Sequence, residues 1–167
     1  MAVALTSLSH GAGCGCKLSA ADLRPIVAGL PRTMLWLTTI GSLAEAAADL
    51  DDSENAGQLY AELEPYADRL VQWSFTGNAG SVHRLLGRTA ASAGWNHRAR
   101  MHFEAALRRH AELDAAPLLA RTRCDYGEFL LRGSRADVPT ARRYLGQARL
   151  TARRLGMAGV ATRADRG

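Results

Sequence analysis

Nine consecutive residues, SHGAGCGCK at Ser9–Lys17, hold the densest group of reactive side chains in this sequence. Cys14 has His10 four positions before it and Lys17 three after. Cationic neighbours favour the thiolate, so this spacing reads as a nucleophilic cysteine with Lys17 as its charge partner. Gly11, Gly13 and Gly15 let the backbone approach a ligand closely or swing as a flap. His10, Cys14 and Cys16 offer three ligands where structural zinc takes four, so no metal site is assigned. The phosphate-loop pattern GxxxxGK followed by Ser or Thr is not matched. The plain alternative is a glycine-rich tail that binds nothing.

The longer stretch LTSLSHGAGCGCKLSAADLRPIVAGLP, Leu5–Pro31, and above all its HGAGCGCK core, resembles the N-terminal segment of selenophosphate synthetase (selenide, water dikinase). The resemblance implies a mobile arm that closes over a nucleotide site, with Cys14 at the catalytic cysteine position and Lys17 at the essential lysine. It places Cys16 at a second, less critical cysteine, and implies ATP and Mg²⁺ as cofactors. It covers 27 of 167 residues and stops at Pro31. The aspartate-bearing α/β body that holds ATP and Mg²⁺ in that family has no counterpart after it. Phosphoryl transfer rests on positioning and on charge stabilisation by bound metal, neither of which an arm supplies. The enzyme reading is therefore the alternative one, and the main reading expects no cofactor.

The segment after the arm must be a helical body. Ser19 and Asp22 cap a short helix interrupted by Pro25, and Gly29 and Pro31 form a junction. Beyond it, apolar residues recur at helical spacing. One stripe is Leu35, Ile40, Leu43, Ala44 and Ala47; a second is Ala99, Phe103, Ala106, Leu107 and His110. Ala141, Leu145, Ala148, Ala152 and Leu155 make a third. Breaks fall at Asp51–Ser53, Gly77-Asn78, Gly94, Ala115–Pro117, Gly133-Ser134 and Gly156. No run alternates with period two, so no sheet is expected and the fold class is all-α.

The helices repeat. An alanine, a large residue four later and a small or apolar one three later recur as Ala56-Tyr60-Leu63, Ala99-Phe103-Ala106 and Ala141-Leu145-Ala148. Leu86-Gly87 precedes Ala99, Pro117 follows the second copy, and Gly127 sits comparably before the third. This resembles the tetratricopeptide pattern, in which small residues of one helix admit the bulky residue of its partner. The phrases PLLARTRCDYGEFLLRG (Pro117–Gly133) and ARRLGM (Ala152–Met157) look similar to the C-terminal repeat arrays of large actinobacterial regulators that carry ATPase, nucleotide-cyclase or LuxR-type modules. The resemblance implies a protein-interaction array of about three helical pairs over residues 33–167, behind an arm over residues 1–31. A protein partner is expected, and so is self-association through an apolar edge of the first pair.

Composition narrows the classes. With 47% hydrophobic and 22% charged residues the chain is globular, and no apolar run approaches the roughly 18 residues of a membrane span. The start has neither a basic n-region nor a long enough apolar stretch for a signal peptide, so a cytoplasmic location is expected. Cys14, Cys16 and Cys124 do not suggest a disulfide scaffold. Up to His97 there are six basic and nine acidic residues, and from Arg98 on fifteen basic and seven acidic. The basic half reads first as solvated helix faces and alternatively as an arginine-lined groove for an acidic partner; no nucleic-acid reading module appears and nucleic acid is not expected. The scattered histidines 10, 83, 97, 102 and 110 read as surface or packed residues, and Asp49, Asp51 and Asp52 as solvated turn acids.

Overall fold

Each recurring alanine and the large residue four positions on lie in a helix–helix interface. The computed structural model describes residues 35–73 and 77–167, all within the unit Arg32–Gly167. The glycine-rich segment and its expected boundary with the array lie outside the described residues. These residues form α1 (Trp36–Asp49), α2 (Ser53–Leu63) with a 3-10 turn at Glu64–Tyr66, and a hairpin of β1 (Leu70–Trp73) and β2 (Gly77–Ser81). Then come α3 (Val82–Ser92), α4 (Asn96–Glu112), α5 (Ala116–Leu131), a 3-10 turn at Arg135–Asp137, α6 (Val138–Arg154) and α7 (Ala158–Arg166). Three helical pairs are thus followed by a single helix.

The boundaries follow from local chemistry. Asp52 caps α2 by accepting from the Asn55 N–H at 3.1 Å. Ser81 caps α3 by accepting from the His83 N–H. Pro117 and Pro139 lie in the first turns of α5 and α6, where a missing N–H costs nothing. Gly94 and Gly156 follow α3 and α6 in the left-handed region, at φ 77° and 70°.

Consecutive helices pack together, and α1, α3, α5 and α7 also touch in series. All nine residues of the three alanine triplets are buried. Small residues set how closely the partners approach. A Cβ at Gly87 would lie 2.8 Å from the Phe103 ring, and one at Gly127 would lie 2.6 Å from Leu145 Cγ. The first pair departs from this, since Gly41 faces Leu85 and Val71 rather than Tyr60.

Two expectations are corrected. A short antiparallel sheet is present, pairing Leu70 with Ser81 and Val71 with Gly80, then shifting register to Gln72 with Asn78. Its second strand reads GNAGS, too small and polar to alternate, so no period-two signal marks it. The apolar stripes are also shorter than read, because Leu35 and Leu155 are exposed at their ends.

Candidate functional site

The odd-numbered helices each contribute charge to one continuous ion-pair chain. Glu45 of α1 meets Arg84 of α3, which donates to Asp125 of α5 at 2.5 Å. Arg163 of α7 donates to Asp125 at 2.7 Å and also pairs with Glu128. The successive partners lie 39, 41 and 38 residues apart in sequence, close to the helical repeat. Arg84 and Asp125 are both buried. Burial pushes the Arg84 guanidinium down to about 10, which still leaves it charged at neutral pH. Burial alone would raise Asp125, but Arg84, Arg88 and Arg163 outweigh it and hold the carboxyl below its usual range. Removing one partner of such a pair strands a buried charge and costs about 3–5 kcal/mol.

Beside this chain lies a cleft of about 250 Å³ with Phe103, Phe129 and Leu130 among its lining residues. Arg88, Arg100, Arg132 and Arg163 enter it from four different parts of the fold. Arg100 donates to Asp137 at 2.8 Å, a hydrogen bond that raises its pKa. Arg88 pairs with Asp49 and Arg132 with Asp51, both acids of the α1–α2 turn that are 66% and 70% exposed. Asp51 stands in the left-handed region at φ 51°, which turns its side chain position away from the helix path. The three turn acids therefore have separate tasks: two hold arginines and Asp52 caps α2.

Two histidine clusters tie elements together: one joins the hairpin, α4 and α5, the other α2, α3 and α4. Ser81 N–H donates to His110 Nε2 at 2.8 Å, and His110 Nδ1 lies 2.9 Å from Thr122 Oγ1, whose hydroxyl donates to Leu118 O. The ring is fixed as the Nδ1–H tautomer, and burial followed by the nearby Arg84 and Arg121 charges holds its pKa down to about 4. Between α2, α3 and α4, Tyr60 Oη lies 2.8 Å from His102 Nε2, and His102 Nδ1 lies 2.9 Å from His83 Nδ1. Burial, then His83, lowers His102 to about 4. Both clusters read as packed histidines, as their scatter suggested.

The residues singled out for chemistry, Cys14 and Lys17 with Gly11, Gly13 and Gly15, lie outside the described residues, as do His10 and Cys16. Cys124 is free and buried, and burial pushes its thiol up to about 12, which excludes it as a neutral-pH thiolate. Among the described residues no group of three or more His, Cys, Asp or Glu side chains could hold a metal ion. No helix among them is long and apolar enough to cross a membrane. Sequence reasoning missed Glu45, Arg84, Asp125 and Arg163, which come together only across four helices. No protein-family model, curated protein or solved structure matches the chain.

Proposed function

We propose that the helical array is a protein-binding module whose cleft takes an acidic segment of a partner. The carrying observation is that four arginines line one cleft alongside Asp125, Glu128 and Asp137, and that Arg88 and Arg132 form their ion pairs with exposed acids at the α1–α2 turn. The Arg132–Asp51 pair is exposed on both sides, and such pairs contribute about 0–1 kcal/mol, so a carboxylate from a partner can replace Asp51 at little cost. Arginine forks suit carboxylates, and the half-buried Phe129 gives the neighbouring apolar atoms of a peptide a surface to rest on. The tetratricopeptide-like reading is supported by the two glycine contacts, Gly87 with Phe103 and Gly127 with Leu145.

The test is fluorescence anisotropy with three labelled peptides of equal length, one acidic, one neutral and one basic. The acidic peptide binds, its affinity falls as salt rises, and Arg88→Ala with Arg132→Ala weakens it at least tenfold. Equal binding of all three peptides, or no loss in the double variant, overturns the reading.

A further inference from the structure

Charge along the array is segregated more sharply than its total suggests. Residues 36–68 carry eight acids, from Glu45 to Asp68, and no arginine, lysine or histidine. Residues 138–167 carry seven arginines and a single acid, Asp165. The first stretch builds α1, α2 and the turns around them, and the second builds α6 and α7. One chain thus presents a wholly acidic first helical pair and a strongly basic last segment.

Each of these surfaces also has an apolar centre. The two most exposed large apolar side chains among the described residues are Leu50, 79% exposed, and Leu150, 70% exposed. Leu50 stands in the α1–α2 turn between Asp49 and Asp51, with Asp52 and Glu54 next in sequence. Leu150 stands on the outer face of α6 among exposed Arg142, Arg143, Arg149, Arg153 and Arg154. Asp165 is shared between Arg149 and Arg153, at 3.6 and 3.0 Å, so one acid serves two cations. An apolar anchor ringed by charge is the usual build of a protein contact, and here the two rings have opposite sign.

We propose that a second copy of this chain is the occupant: the acidic Leu50 turn of one copy docks on the arginine-flanked Leu150 face of another. The contact joins two different surfaces, so it is heterologous and can continue from copy to copy or close into a ring. It rests on the reading of the array as a protein-binding surface, and its acidic side shares Asp49 and Asp51 with the edge of the arginine cleft, where they pair with Arg88 and Arg132. The charges bring the copies together and set their orientation, while burial of the two leucines contributes the short-range attraction.

Sedimentation velocity on the full chain tests this at low and at high salt. Wild type sediments as dimers or larger species at low salt and shifts toward monomer at high salt. Leu50→Arg and Leu150→Glu, both at exposed positions, are each monomeric at low salt, with circular dichroism unchanged. Mixing the two variants restores a one-to-one complex, because each keeps the surface the other has lost. A wild-type chain that stays monomeric at low salt overturns the proposal, as does association that neither variant reduces or a mixture that does not pair. Acidic-peptide binding, followed in parallel on monomeric Leu150→Glu, separates this outcome from that of the cleft: the peptide still binds there if only the self-association idea fails.

Discussion

His110 shows how one side chain ties several elements to a protonation state. Its Nε2 accepts the Ser81 N–H while its Nδ1–H meets Thr122, so a second ring proton would face a donor. The folded ring is held at about 4, below the ordinary value of 6.5. Between those values the unfolded chain binds a proton that the folded ring refuses, so stability is full above pH 6.5 and falls as pH drops toward 4. His102 adds to the loss in the same window for the same reason. Each ring contributes a slope of up to ~1.4 kcal/mol per pH unit. Urea unfolding followed across this range shows the loss in wild type, and His110→Gln, which keeps an acceptor for Ser81, shows a shallower slope. A slope unchanged by that substitution contradicts the assignment. None of this was legible beforehand: His110 is one more member of an apolar stripe, and its partners lie 29 and 12 residues away. The ion-pair chain was hidden for a like reason, since Glu45, Arg84, Asp125 and Arg163 meet only after four helices are packed.

The helix breaks were legible where they have a local cause: Asp52, Gly94, Pro117 and Gly156 act within a turn of where they stand. The hairpin was not, because β2 is built of Gly77, Asn78, Ala79, Gly80 and Ser81 and depends on distant groups. Gly80 has φ 105°, and a Cβ there would meet His110 Nε2 at 3.0 Å, so the strand is shaped by what it packs on. The glycine–bulky pairs give the element scale its own prediction. Gly127→Ala drives a methyl group into Leu145 and toward the Ala141 carbonyl, at 2.6 and 3.2 Å, and costs about 1–3 kcal/mol. Gly87→Ala, against the Phe103 ring at 2.8 Å, costs less. In a Leu145→Ala background the Gly127→Ala change adds less than ~1 kcal/mol, because the colliding atoms are gone. Thermal or urea unfolding of the four chains checks the cycle; strict additivity contradicts the packing account.

At the scale of the array, the odd-numbered helices are joined by an ion-pair chain, and two acids at the α1–α2 turn pair with arginines of the neighbouring cleft. The basic second half is plain in the sequence, yet the sequence could not show that acids of the first helical pair stand against its Arg132 and against Arg84 and Arg88 of α3. Asp49 and Asp51 read as solvated acids because they end a helix, and only the fold sets them against Arg88 and Arg132. If those pairs are placeholders for a partner's carboxylates, removing the acids frees the arginines without touching the cleft. The Asp49→Asn/Asp51→Asn double variant tests this most directly, since asparagine also tolerates the left-handed backbone at position 51. Its affinity for the acidic peptide, measured by anisotropy beside wild type, is predicted to be several-fold tighter. Unchanged or weaker binding contradicts the account.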